Sequence, residues 1–115
     1  SVGFGIGYEV RNPNSTLQVD GSLSLSYLER TDNYTLTTSD YTVGMNVTAK
    51  DVILPSAIGK VGRIYVIKLL VSGETEIYPN GSETIDGDTK YTINTLNGSV
   101  MLQSTGTNWI VLSNY

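Results

Sequence analysis

The sequence predicts an all-β protein, an antiparallel β-sandwich or β-prism-like head carrying a short extended amino-terminal connector. Three observations carry that reading. Apolar and polar residues alternate with period two in segment after segment. No window of about 11 residues places apolar side chains at i, i+3, i+4 and i+7, so no helix is expected. Turn dipeptides punctuate the alternating runs at short spacing: Asp20-Gly21, Ser72-Gly73, Asn80-Gly81, Asp86-Gly87, Asn97-Gly98 and Thr105-Gly106.

The elements follow in chain order. Gly3, Gly5 and Gly7 alternate with Val2, Phe4, Ile6 and Tyr8, and the turn-like Asn12-Pro13-Asn14 comes next. Alternating glycine cannot build a thick core, but it lets backbones approach closely, as in a slim assembly of chains around one axis. Leu23, Leu25 and Tyr27 alternate with Ser22, Ser24 and Ser26, which reads as a strand with one wet face. A polar break at Glu29, Arg30, Thr31, Asp32 and Asn33 divides the chain into a connector with its first strand, 1–31, and a globular β head, 32–115. Pro55 ends a strand, because proline cannot donate to a ladder and biases Leu54 to extended geometry. Gly59 and Gly62 flank Lys60-Val61 in a loop that re-enters the longest apolar run. Pro79-Asn80-Gly81 and Asp86-Gly87 are turns. Asn97-Gly98 sits between two alternating runs, Lys90 to Thr95 and Ser99 to Gln103, and predicts a type I′ hairpin with positive φ at both central residues. Trp109 and Val111 close the pattern.

Residues 63–71 break the half-wet rule. Ile64, Val66 and Leu70 occupy one face, and Tyr65, Ile67, Leu69 and Val71 the other. A strand apolar on both faces needs cover on both sides. One small domain supplies one cover, and a second subunit is a natural source of the other. Ile64, Tyr65, Val66, Ile67, Leu69, Leu70 and Trp109 are therefore expected in the core or in a subunit interface.

Composition removes several chemistries. The 115 residues include no Cys and no His, which excludes a disulfide scaffold, thiol or imidazole catalysis and most zinc sites. Seven basic and 11 acidic residues give a net charge of −4 without a basic cluster, so nucleic-acid binding is not expected. No apolar run approaches the length of a membrane span, and no signal peptide is visible; the chain reads as one that begins mid-protein. Glu74 with Glu76 is a formal glycosidase-like pair, and Asp86 with Asp88 a formal calcium pair, but like-charged neighbours on strand faces and turns are far commoner. No catalytic residue, metal ligand or cofactor site is assigned. Five N-x-S/T sequons, at Asn14, Asn33, Asn46, Asn80 and Asn97, read as coincidence in a chain rich in Asn, Ser and Thr. Of the eight tyrosines, Tyr34, Tyr41, Tyr65, Tyr78 and Tyr91 sit inside strand patterns, whereas Tyr27 and Tyr115 are the freer candidates for receptor binding.

Two ordered sets of motifs carry a family resemblance. Val2-Gly3-Phe4-Gly5-Ile6-Gly7, Asn12-Pro13 and Leu17-Gln18-Val19-Asp20-Gly21-Ser22 resemble a segment common in phage tail-fibre shafts, with Tyr8 where Thr is usual and extra residues before Asn12-Pro13. Tyr34-Thr35-Leu36, Asp40-Tyr41-Thr42-Val43, Ile53-Leu54-Pro55-Ser56-Ala57 and Gly62-Arg63-Ile64-Tyr65-Val66-Ile67-Lys68 follow. Then come Ile77-Tyr78-Pro79-Asn80-Gly81, Thr84-Ile85-Asp86-Gly87, Leu102-Gln103-Ser104 and Asn108-Trp109-Ile110-Val111-Leu112. This series resembles the carboxy-terminal β module of phage tail-fibre, tail-spike and head-fibre proteins. The resemblance implies an intertwined homotrimeric virion fibre tip, free of catalysis, that attaches to a host-surface receptor such as a polysaccharide. A purely structural trimerisation or capsid-decorating module is the alternative, and a bacterial surface adhesin or carbohydrate-binding module a more distant one. The chain ends soon after the Trp109 strand, which fits a distal tip.

Overall fold

The computed structural model describes residues 4–7 and 12–115. Val2, Gly3 and Tyr8 of the glycine-alternating segment lie outside the described residues. The fold is all-β, with 11 strands in three sheets among the described residues. β1 (Phe4–Ile6) and β2 (Leu17–Val19) form a two-stranded parallel pair that joins no other sheet among those residues. The other strands are β3 (Tyr27–Arg30), β4 (Tyr34–Thr35), β5 (Thr42–Met45), β6 (Lys50–Ile53), β7 (Ile64–Leu69), β8 (Thr75–Tyr78), β9 (Tyr91–Ile93), β10 (Ser99–Ser104) and β11 (Trp109–Asn114). They form a five-stranded sheet ordered β11-β10-β7-β5-β3 and a four-stranded sheet ordered β4-β6-β8-β9.

The pairing corrects the antiparallel expectation. From β3 to β8 each strand joins the sheet its predecessor did not, and β3, β5 and β7 pair in parallel, as do β4, β6 and β8. The chain therefore winds three turns of a flattened parallel coil. Only the last part is antiparallel: β9 on β8, β10 on β7 and β11 on β10. Alternation of apolar residues is the same whichever way a neighbouring strand runs, so the pattern does not carry strand direction. β3 lies within the 1–31 segment, yet it pairs with β5 and so belongs to the five-stranded sheet.

The core lies between the two larger sheets. Tyr65, Ile67 and Leu69 of β7, Val43 and Met45 of β5, and Val100 and Leu102 of β10 project from one side; Val52, Ile77 and Ile93 project from the other. Trp109 is fully buried, its ring centroid 5.5 Å from that of Tyr65, and its Nε1–H donates to Pro55 O at 3.3 Å. The Tyr65 hydroxyl donates to Thr37 O at 2.9 Å, so neither aromatic leaves its polar atom unpaired.

Two local expectations are also revised. Residues 22–26 are not a strand: β3 starts only at Tyr27, and Leu23 and Leu25 are exposed. Asn97-Gly98 does not close a hairpin, since β9 and β10 belong to different sheets. Asn97 has φ 65°, but Gly98 is not left-handed; a Cβ there would fall 2.7 Å from Ile93 Cγ2, so glycine serves close packing. The two-residue turn with positive φ at both centres is Asp86-Gly87, φ 50° and 83°, closed by reciprocal hydrogen bonds between Ile85 and Asp88.

Candidate functional site

The residues expected in core or interface separate cleanly by face. Tyr65, Ile67, Leu69 and Trp109 are buried between the sheets. Ile64 and Val66 point from the opposite, outer face of the five-stranded sheet and are half-buried. Leu70, just past β7, lies over Gly44, where an added Cβ would meet Leu70 Cδ1 at 2.8 Å and the Tyr27 hydroxyl at 3.0 Å. The register places Val66 beside Thr42 on one side and Met101 on the other, and Ile64 beside Gln103, itself opposite Ile110. The outer face thus carries an apolar centre that the chain's own elements leave partly open. Apolar side chains remain well exposed on this sheet and the arm before it: Tyr27 58%, Ile110 37%, Leu112 45%, Leu23 68% and Leu25 50%. The total accessible surface, 6950 Å², exceeds the roughly 6,200 Å² expected of a compact monomer of this mass.

The two freer tyrosines are both exposed, but the fold keeps them apart. Tyr27 is on β3, one edge of the sheet, and Tyr115 follows β11, the other edge. Four strand spacings, about 19 Å, separate those edges. The Tyr27 hydroxyl donates to Glu29 Oε2 at 2.8 Å, and that bond to a carboxylate raises its pKa.

One carboxylate of each acidic pair has a structural partner. Glu76 is ion-paired with Lys90 and accepts from the Tyr78 hydroxyl; the hydrogen-bonded Lys90 ammonium holds its carboxyl below the ordinary value, the direction opposite to a general acid. Asp86 Oδ1 accepts from the Val111 N–H at 3.0 Å, tying the Asp86-Gly87 turn to β11. Among the described residues no group of three or more His, Cys, Asp or Glu is placed to hold a metal ion, and no helix is long and apolar enough to cross a membrane.

A groove of about 600 Å³ opens where β5 and β7 begin, lined by Thr38, Tyr41, Gly59, Lys60, Val61, Gly62, Arg63 and Ile64. Its loop wall is firmly held. Both Glu83 carboxylate oxygens are used, accepting from Ser56 Oγ at 2.6 Å and from Ala57 N at 2.8 Å. Gly62 N donates to Ser104 O at 2.8 Å, and buried Ser104 Oγ donates to Ala57 O at 2.8 Å. Arg63 Nη1 spans to the other wall, donating to Thr38 O at 2.9 Å. In the sequence this segment reads only as a loop; its signal is Lys60 bracketed by Gly59 and Gly62, with Arg63 next, in a chain short of cations.

No protein-family model matches the chain, and comparison with curated proteins finds no significant match.

Proposed function

We propose that this chain is a non-enzymatic attachment module of a virion fibre, working as a homotrimer whose distal surface engages a host-cell polysaccharide. The observation that supports it most is the half-open apolar outer face of β7, continued by the exposed Leu23 and Leu25 of the arm. Among the described residues no element covers that face, and a second and third copy would cover it. The ordered motif series from Tyr34 to Leu112 supports the fibre setting and the three-fold symmetry. β1 and β2, paired among the described residues only with each other, suit an axial connector preceding the head.

Light scattering tests the assembly and cell adsorption the attachment. The proposal expects a mass of three chains at micromolar concentration and adsorption of the labelled trimer to a subset of bacterial strains. A trimer that adsorbs to no cell and no glycan on an array supports the structural alternative, in which trimerisation is the whole function.

A further inference from the structure

We propose that the groove between loop 59–63 and residues 38–41 binds an acidic carbohydrate, with Arg63 and Lys60 holding its anionic group and Tyr41 lying against a sugar face; this rests on the attachment reading and names the site and ligand class for it.

The charge arrangement carries the argument. The chain has 11 acidic residues against seven basic ones, yet this groove is lined by two cations and no carboxylate. The carboxylates closest in the chain and in the loop's support are already engaged. Asp40 is buried and accepts from Tyr34 Oη and Thr37 N, both at 2.8 Å, and Glu83 is taken by Ser56 and Ala57. Neither Lys60 nor Arg63 has an ion pair among the described residues, whereas Lys50 and Lys90 do. An ammonium and a guanidinium on one wall, uncompensated, select an anion.

The geometry is preorganised. Arg63 uses Nη1 to hold Thr38 O, which fixes the guanidinium plane and leaves its other N–H groups for a ligand. Gly62 N and Arg63 O bond to Ser104, and Lys60 N bonds to Ala57 O, which with Ser56 is held by Glu83, so little ordering is left for the moment of binding. Gly59 and Gly62 have φ 76° and 91°, and a Cβ at either would meet nothing within 4 Å. The backbone there is open to a ligand's close approach. Tyr41 is half-buried in the floor and offers an amphipathic surface of the kind sugar rings stack on. The volume falls within the range of small-molecule sites. A nucleic acid fits poorly, because it would lay a row of phosphates over an acidic surface with only two cations to meet them.

The anionic oxygen could belong to a carboxylate sugar or to a phosphodiester-linked polymer. Isothermal titration of the full chain against oligogalacturonate, poly(glycerol phosphate) and a neutral dextran oligosaccharide separates them. At least one acidic polymer should bind, the neutral one at least about tenfold more weakly, and binding should weaken at high salt. Lys60→Gln and Arg63→Gln should each weaken binding about tenfold or more, whereas Lys68→Gln, away from the groove, should not. Arg63→Gln also removes the tie to Thr38, so its fold is checked by Trp109 emission; Lys60 makes no side-chain bond among the described residues and needs no such allowance. Equal binding of the neutral oligosaccharide, no binding of either acidic polymer, or binding unchanged in Lys60→Gln would each overturn the proposal. Adsorption to a bacterial panel, run in parallel, keeps the two readings distinguishable. A wild type that adsorbs to cells but fails these titrations sinks the groove and leaves attachment standing. A wild type that adsorbs to nothing sinks attachment itself.

Discussion

On the proposed homotrimer, replacing Val66 by Asp should convert the assembly to a folded monomer. Val66 sits at the middle of the outer face, flanked in register by Thr42 and Met101, and it is half-buried in the single chain. An Asp there reaches water in a monomer, so the fold should survive. In the proposed trimer the same carboxylate would face a neighbouring copy. Leu23, Leu25, Tyr27, Ile110 and Leu112 together expose the equivalent of about two and a half side chains, and covering them would stabilise each protomer by about 4–8 kcal/mol. Three protomers then gain about 12–23 kcal/mol, against two association steps costing about 4–15 kcal/mol each. The two sides are close enough that one unpaired charge per contact decides the outcome. A penalty of only 1.4 kcal/mol at each of three contacts lowers the assembly constant about a thousandfold. Light scattering across a concentration series is the assay, with far-ultraviolet circular dichroism to show that the monomer is folded. Ile67→Asp provides the contrast: that side chain is fully buried between the sheets, so the variant should not fold. A Val66→Asp protein that assembles at the wild-type concentration, or a wild type with the mass of one chain, would refute the reasoning.

Deleting residues 1–20 should leave the circular dichroism of the head unchanged, because β1 and β2 pair only with each other; loss of the β signal would contradict the connector reading. Trp109→Ala removes the contact with Tyr65 and the bond to Pro55 O, and should cost about 3–5 kcal/mol in denaturant unfolding followed by circular dichroism; a change within error would show that the core does not depend on that ring. The Glu76–Lys90 pair should make stability pH-dependent at both extremes. Glu76 is lowered, so its contribution is present above the unfolded carboxyl value and lost as pH falls through the folded one; Lys90 is raised, so its contribution is present below the unfolded amine value and lost as pH rises through the folded one. Lys90→Met should therefore melt lower than wild type near neutrality, and the difference should shrink as acid protonates Glu76; a difference that stays constant as pH falls would exclude the ion pair as its cause.

Much of the local structure was legible from residue chemistry. The inward set of β7 and the burial of Trp109 follow from alternation and size, and Tyr27 and Tyr115 are indeed among the exposed tyrosines. Asp86-Gly87 forms the two-residue turn that its dipeptide announces. Asn97-Gly98 carries the same kind of signal and does something else, because Gly98 is selected by Ile93 packed against it, a contact between distant elements. The groove was not legible as a site. Lys60 and Arg63 are close in sequence, but Thr38 and Tyr41 arrive from another turn of the coil and Ser104 from β10.

By itself the sequence determined that the chain is β, where its apolar positions fall, and that one strand carries more apolar surface than a single sheet face buries. These are properties of each residue and its nearest neighbours in the chain: period-two alternation, β-branched and aromatic content, and the φ demands of glycine turns. Strand direction, the assignment of successive strands to alternating sheets and the meeting of the basic loop with residues 38–41 were decided only in the tertiary structure. A side chain is buried equally well whether the strand beside it runs parallel or antiparallel. What selects between them is the joint packing of two sheets, Val43, Ile67 and Val100 against Val52 and Ile77, and that energy exists only when every turn of the coil is in place.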